Sequence, residues 1–314
     1  MSNASIRWIE VCTLASGAPL RVAVHEINGA GDGPTLGVSA LIHGDEITGP
    51  EVIRRVCDLI DPAVLRGRLR LVPVANPLAF QTLTRGMPLA VEVGNLNRVF
   101  PGDAAGDLTG RLAAALQAGF LDEVTHLVDL HAGGTFPLVD YSISLRDLDL
   151  ALAFGQRVVR PVDGYAGTMG ALAAAKQKSS LVAEVGGGYA HDAVYVEMGV
   201  RGVLNVMRYL KMIDGRPQLP PQQTVVREIT TLRPAHGGLM HSQLGADSMA
   251  QEIPKGTLLG RVVSPHTFET LEELRAPYGR NVVLLLRTGI TAVNPGDYGF
   301  MLGNLDGARV VTNR

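Results

Sequence analysis

A chain of 314 residues, 46% of them hydrophobic, is long enough to form one large and one smaller globular domain. The formal net charge of -2, from 28 basic and 30 acidic residues spread along the sequence, gives no reason to expect a nucleic acid or a membrane as partner. Cys12 and Cys57 have no Cys or His at metal spacing, and no signal core or membrane-length apolar run is present, which predicts a cytoplasmic protein.

The first 210 residues alternate between strand-like and helix-like patterns. Residues 35–42, TLGVSALI, are apolar and partly β-branched, as is typical of a strand buried on both faces. A polar turn from His43 to Glu46 follows, and Gly49-Pro50 then opens a helix with apolar residues at helical spacing. The later predicted elements are strands at 68–76, 125–130 and 180–185 and helices at 112–120, 147–159 and 193–210. This alternation predicts an α/β fold with a mostly parallel sheet covered on both sides.

The sequence changes in character near Asp214, where DGRPQLPPQQ is typical of an interdomain linker. Beyond it, short β-rich runs are separated by Gly, Pro, Asn and Asp, and no long helical pattern occurs. We therefore predict an α/β domain over residues 1–215 and a smaller all-β domain over residues 216–314.

His43 and Glu46 lie three residues apart in the turn that follows the first buried strand. A His and a Glu at this spacing can reach one ion, and zinc favours nitrogen and oxygen ligands of this kind. The spacing alone is weak evidence, because His266 and Glu269 repeat it in the β-rich region. That second pair has neither a buried strand before it nor a capped helix after it, so we favour the first pair.

Two more polar residues stand at the ends of predicted strands: His131 follows THLVDL, and Glu184 comes near the end of SLVAEV. Side chains at the carboxyl ends of strands in an open α/β sheet converge on one crevice. We therefore expect His131 to join His43 and Glu46 around one metal ion, with Glu184 beside them. The alternative for His131 is a hydrogen-bonded histidine at a strand end, and Asp129 either orients a metal ligand or caps a backbone group.

Two neighbouring features suggest ligand binding. Residues 186–188 are a glycine run after Glu184, which lets a loop pass close to a ligand or simply form a turn. Asn97 and Arg98, within NLNRVFPG, have the directional donors that grip a substrate carboxylate, with a solvated surface arginine as the alternative.

The motifs HGDEITGP, NPLAF, TR, NLNRVFPG, VDLH and AEVGGG, in that order, resemble the succinylglutamate desuccinylase/aspartoacylase family, a branch of the zinc carboxypeptidase fold. The match extends over the first 210 residues. The resemblance implies that residues 1–215 are a catalytic domain with one zinc ion. It also implies hydrolysis of the amide bond of a small N-acyl amino acid, and it leaves a homo-oligomer and the identity of the acyl group open.

The resemblance also implies a role for each site residue. His43, Glu46 and His131 are expected to bind zinc, Glu184 to act as general base, Arg85 to polarise the carbonyl, and Asn97 with Arg98 to bind the substrate carboxylate. Arg54, Arg111 or another arginine is the alternative to Arg85, because the distance from this arginine to the NLNR segment varies within the family. The rival functions are a peptidase with an open groove and a non-catalytic binding protein on the same fold.

The C-terminal region resembles the β domain of bacterial family members, which is similar to a biotinyl or lipoyl carrier domain. A carrier needs a lysine on its exposed hairpin turn, but residues 256–280 contain none and Lys255 sits in a different turn. We therefore expect no carrier function.

Overall fold

The computed structural model describes residues 4–187 and 192–313. Within them the chain forms eighteen strands and six α-helices. The strands are β1 (Ala4–Thr13), β2 (Pro19–Asn28), β3 (Gly31–Ala40), β4 (Arg66–Val72), β5 (His126–His131), β6 (Pro137–Leu145), β7 (Val158–Val162), β8 (Ser179–Gly186), β9 (Gln222–Val225), β10 (Ile229–Leu232), β11 (Gly238–Ser242), β12 (Glu252–Pro254), β13 (Leu258–Val263), β14 (Thr270–Arg275), β15 (Arg280–Arg287), β16 (Ile290–Val293), β17 (Phe300–Asn304) and β18 (Arg309–Thr312). The helices are α1 (Thr48–Leu59), α2 (Pro77–Thr82), α3 (Leu108–Gly119), α4 (Leu148–Phe154), α5 (Met169–Ala175) and α6 (Asp192–Tyr209).

Most strands belong to one mixed sheet of fourteen, with the central order β1-β2-β4-β3-β5-β8-β6-β15-β17-β10. At its centre β3 runs parallel to β4 and β5, and β5 runs parallel to β8. Every residue from Leu36 to Ile42 is buried, because helices cover both faces of this central part. The predicted α/β fold with a buried, parallel central sheet is thus confirmed.

The two faces of the sheet have separate hydrophobic cores. Val128 and Leu130 of β5 pack with apolar residues of α1, α4 and α6, whereas Leu127 packs with α3 and α5. Successive residues of a strand point to opposite faces. Asp129 and His131 therefore lie on the same face as Leu127, the face that α3 and α5 cover.

Several helices begin where a polar side chain accepts a hydrogen bond from the first turn of the backbone. Asn76 caps α2, Asp107 caps α3, Asp147 caps α4 and Thr168 caps α5. Such caps satisfy amide groups that the helix itself leaves unpaired. These local signals fix where the preceding loops enter these four helices.

The predicted helix over 147–159 is wrong in its second half. The helix ends at Phe154, because Gly155 adopts a left-handed conformation with φ of 97°. The following residues form β7, which pairs in parallel with β6. The pattern also missed β6 itself, although LVDYSISL (138–145) is buried throughout.

The residues after 215 form strands in two places. The smaller sheet has four antiparallel strands in the order β14-β13-β11-β16, and this confirms the β-rich C-terminal region. The strands β15, β17 and β10 instead extend the large sheet beyond β6. The division of the chain at residue 215 stays a prediction. Among the described residues no helix is both long enough and apolar enough to cross a membrane.

Candidate active site

The polar turn after β3 is held in place by a close backbone contact. Leu41 is buried with φ of 54°, a left-handed conformation that turns the chain sharply before His43. The amide of Gly44 donates to the carbonyl oxygen of Thr84 at 2.9 Å. A Cβ at Gly44 would lie 2.0 Å from the carbonyl carbon of Ala79, so only glycine fits against the end of α2. This contact fixes the turn that carries His43 and Glu46.

His43, Glu46 and His131 form one buried cluster. The Nδ1 atom of His43 lies 2.7 Å from Oε1 of Glu46, and Nδ1 of His131 lies 2.8 Å from Oε2 of the same carboxylate. The three candidate ligand atoms are all within 4.8 Å of one another. Two imidazole nitrogens and a carboxylate at this separation are able to hold a metal ion, and they are a donor set that suits zinc.

Each histidine of the cluster is contacted on its other ring nitrogen. The Nε2 atom of His131 lies 3.0 Å from Oδ2 of Asp129, whose Oδ1 accepts a hydrogen bond from the Ser39 hydroxyl at 2.7 Å. The Nε2 atom of His43 lies 3.3 Å from the side-chain oxygen of Asn95. Contacts of this kind orient metal-binding histidines and fix their tautomers. For Asp129 the geometry favours the orienting role over that of a backbone cap.

The charges of the cluster support one another. Burial opposes the charge of Glu46, but His43 and His131 outweigh it and hold the pKa of this carboxyl well below its usual range. Burial likewise opposes the charge of His131, yet Asp129 and Glu46 raise the pKa of this imidazole well above 6.5. Burial lowers the pKa of His43. Binding of a metal ion therefore requires His131 to release its proton first.

Glu184 lies beside the cluster because of strand pairing. In β8 it is the direct neighbour of His131 in β5 on one side and of Tyr141 in β6 on the other. Paired residues of adjacent strands point to the same face of a sheet. Burial raises the pKa of Glu184 to about 7, although the nearby charge of His131 acts in the opposite direction. A carboxylate with this pKa is a good proton acceptor and donor at neutral pH.

The cluster opens into a pocket of about 260 Å³. Its walls include the other predicted site residues Arg85, Asn97 and Arg98 together with Glu184. The C-terminal part of the chain contributes further lining residues, namely Ile229, Thr231, Leu285, Tyr298 and Met301. The pocket is slightly smaller than the roughly 300–1,000 Å³ of typical small-molecule sites.

Of the three candidate arginines, Arg85 alone lines this pocket in the part of the chain that the structure describes. Its side chain is half exposed, and its Nη1 lies 3.1 Å from Oε1 of Glu46. Arg54 instead pairs with Glu51 and Asp58 on the exposed side of α1. Arg111 donates to the carbonyl oxygen of residue 106 at 2.8 Å. The position of Arg85 therefore agrees best with a group that acts at the cluster of His43, Glu46 and His131.

Asn97 and Arg98 differ in how much of each side chain is free. Asn97 is buried, its oxygen accepts from the amide of Met169 at 3.0 Å, and its nitrogen lies 3.4 Å from Nε2 of His131. Arg98 is exposed along the pocket, donates to the carbonyl of Asn97 at 2.6 Å, and forms no ion pair with any described residue. Arg98 therefore offers a positive charge to a ligand in the pocket, whereas the neutral amide of Asn97 is already engaged within the protein.

The other candidates from the sequence lie elsewhere or outside the described residues. His266 and Glu269 are exposed in the turn between β13 and β14, and within residues 4–187 and 192–313 they form no metal-binding group. Gly187 is explained by packing, because a Cβ there would lie 2.4 Å from the carbonyl oxygen of Pro137. Gly188 falls outside the described residues.

Sequence reasoning missed several pocket residues. Tyr141, Arg160, Tyr165, Thr168 and Tyr298 all line the pocket with the predicted residues. The signal available for Tyr141 was the alternation of apolar and polar residues from Val139 to Leu145, which marks a strand. The others are brought to the pocket by β7, by the loop that follows it, and by the loop before β17.

The chain is similar to known proteins over most of its length. Residues 32–210 match the succinylglutamate desuccinylase/aspartoacylase catalytic domain. The N-alpha-acetyl-L-2,4-diaminobutyric acid deacetylase of Halomonas elongata is 25% identical over 283 residues, covering 85% of this chain and 81% of the relative.

Solved structures show the same fold. A succinylglutamate desuccinylase from a Silicibacter species has a TM-score of 0.83 at 24% identity and covers 96% of this chain and 94% of its own. The product-bound ectoine utilization protein of Ruegeria pomeroyi has a TM-score of 0.84 at 23% identity and covers 96% of this chain and 95% of its own.

Proposed function

The chain belongs to the succinylglutamate desuccinylase/aspartoacylase family, and we propose that it is a zinc-dependent hydrolase that cleaves the amide bond of a small N-acyl amino acid. The observation that carries this proposal is the buried group of His43, Glu46 and His131, which lies in the same pocket as Glu184. The Halomonas relative, named as a deacetylase of an N-acetylated amino acid, supports the same reaction type. The products are a carboxylic acid and a free amino acid.

The donor chemistry of the cluster fits zinc. Two neutral imidazole nitrogens and one carboxylate are the three protein ligands typical of catalytic zinc sites, which keep a further position open. Bound there, a zinc ion would acidify water and polarise a carbonyl group. Asp129 and Asn95 keep the Nδ1 atoms of the two histidines directed at Glu46, so the ligand set is arranged by its own neighbours.

The protein's own groups supply the proton transfers. Glu184 accepts a proton from water as the water oxygen forms its bond to the acyl carbon. The same carboxyl then donates that proton to the amide nitrogen as the carbon–nitrogen bond breaks. Arg85, which stands at Glu46, donates to the carbonyl oxygen as it gains negative charge. Arg98 binds the carboxylate of the amino acid through its guanidinium, which forms no ion pair with any described residue.

The size of the pocket favours a small substrate over a peptide. Its volume is about 260 Å³, and Thr231, Tyr298 and Met301 from the C-terminal part of the chain form part of its wall. A peptidase needs a groove that leaves room for residues on both sides of the scissile bond. The intact Glu184 beside the three candidate ligands speaks for catalysis rather than binding alone.

A screen of N-acyl amino acids with zinc present tests the proposal, with release of free amine as the readout and peptides as the comparison. We expect hydrolysis of small N-acyl amino acids and about one zinc ion per chain. Glu184→Gln should lower turnover by roughly 100- to 10,000-fold because it removes the proton acceptor, while the metal content stays the same. Full activity of this variant would exclude Glu184 as the base, and preferential cleavage of peptides would favour the rival function.

A further inference from the structure

Arg85, the arginine that is expected to polarise the substrate carbonyl, is held at the site by one contact of its side chain. Among the described residues Glu46 is its only hydrogen-bond partner, at 3.1 Å from Nη1 to Oε1, and half of the side chain is exposed. The position of the guanidinium therefore depends on the backbone that carries it. That backbone leads into the segment of residues 86–94, which is followed by Asn95, whose side-chain oxygen lies 3.3 Å from Nε2 of His43.

Apolar packing does not hold the tip of the 86–94 segment. The side chains of Leu89 and Val93 are 83% and 88% exposed, and Val91 is exposed as well. At the base of the segment Met87 is buried, and its amide donates to the carbonyl oxygen of Gly94 at 2.8 Å. The segment is thus closed at its base, and its tip needs a polar contact to keep one position.

Glu92 makes that polar contact with the first turn of α3. Its Oε2 accepts a hydrogen bond from the amide of Leu108 at 3.0 Å, and its Oε1 accepts from the amide of Thr109 at 2.6 Å and from the Thr109 hydroxyl. Within the described ranges these are the hydrogen bonds that join residues 88–93 to the rest of the protein. An ionised acceptor at the start of a helix forms strong bonds of this kind.

The helix that receives Glu92 also has a cap of its own. Asp107 accepts a hydrogen bond from the amide of Gly110 at 2.8 Å. Gly94 packs so closely against the helix that a Cβ there would lie 2.3 Å from the hydroxyl oxygen of Thr109. The contact of Glu92 therefore does more than cap α3, because it ties the segment to a helix whose apolar side is buried in the core.

We propose that Glu92 is a positioning residue, which anchors the 86–94 segment to α3 and thereby holds Arg85 in the place where it meets the carbonyl oxygen. The inference rests on the proposed function and adds to it a residue that contacts neither the three candidate metal ligands nor Arg85 itself. A displacement of about 1 Å at a reacting group can cost roughly 100-fold in rate. Because Arg98 lies outside the segment, release of the anchor should act on kcat more than on KM.

A pair of variants at the start of α3 separates positioning from helix stability. Glu92→Gln keeps the size of the side chain but removes its charge, and we expect kcat to fall roughly 10-fold at saturating zinc with KM changed less than about 3-fold. Asp107→Ala is the matched control, because it removes the helix's own cap and has no contact with the segment. The control should lower the unfolding temperature and keep kcat. Equal losses of kcat in both folded variants, or no loss in Glu92→Gln, would overturn the proposal.

A double variant tests whether Glu92 acts through Arg85. In a protein that already carries Arg85→Ala, the group to be positioned is absent, so Glu92→Gln should lower kcat by less than about 2-fold further. The same roughly 10-fold loss in both backgrounds would mean that Glu92 acts on another part of the protein, and it would contradict the inference.

Proteolysis tests the anchor without substrate or metal. Elastase cleaves after small apolar residues, and Ala90 and Val93 are exposed in the segment. We expect elastase to cut the segment roughly 10-fold faster in Glu92→Gln than in the unaltered protein, and Asp107→Ala to be cut there at the unaltered rate. If no N-acyl amino acid is hydrolysed, the proposed function fails, whereas faster cleavage of Glu92→Gln would still support the anchor. Equal cleavage rates of Glu92→Gln and the unaltered protein would contradict it.

Discussion

Replacement of Asp129 by Asn should weaken metal binding while leaving the fold intact. Asp129 is completely buried, and its Oδ2 lies 3.0 Å from Nε2 of His131 while its Oδ1 accepts from Ser39. The amide has nearly the same volume and still accepts one hydrogen bond, so the change removes the negative charge behind the imidazole. Outer carboxylates of this kind typically contribute 10- to 100-fold to metal affinity, or about 1.4 to 2.8 kcal/mol.

The assay for Asp129→Asn is competition between the protein and a chelator of known zinc affinity at pH 8. Asp140→Asn is the matched control, because Asp140 is also a buried carboxyl of the central sheet but contacts Gln156 instead of a histidine. We expect a 10- to 100-fold loss of zinc affinity for the first variant and little change for the second. Equal affinities of Asp129→Asn and the unaltered protein would refute the orienting role of Asp129, and a similar loss in both variants would point to a general effect on the sheet.

Three further changes probe the base, the carbonyl-polarising group and the turn. Arg85→Ala should lower turnover by about 100- to 1000-fold with zinc still bound, whereas Arg54→Ala, in an exposed ion pair, should not; normal turnover of the first variant would mean that another group polarises the carbonyl. Because Glu184 must be deprotonated to accept a proton, kcat/KM should rise with pH. Burial raises the pKa of Glu184 to about 7 and a bound cation lowers it, so a kcat/KM that does not rise with pH up to about 7 would exclude this base. Gly44→Ala should cost about 1–3 kcal/mol in denaturant unfolding because its Cβ overlaps the backbone at the end of α2, while Gly307→Ala, with open space around it, should unfold like the unaltered protein.

The helix predicted over 147–159 illustrates where local patterns fail. The apolar residues after Asp147 fit a helical period, and the cap at Asp147 is real, but the chain needs a strand at 158–162 to pair with β6. The pairing of β7 with β6 outweighed the local helical pattern at residues 158–159. The strand β6 was missed for a different reason, because apolar and polar residues do alternate from Val139 to Leu145 and this local signal was overlooked.

The sequence by itself determined the α/β fold with its buried central strands and the meeting of His43, Glu46 and His131. Each of these residues follows a recognisable buried strand, and parallel strands end at one edge of a sheet. Only the tertiary structure decided that Tyr141 lies beside Glu184, that Arg160 and Tyr165 line the same pocket, and that the C-terminal strands close its wall. Those positions depend on the register between strands and on the closure of loops, which are set by pairing energies across the whole sheet and leave no local trace in the chain.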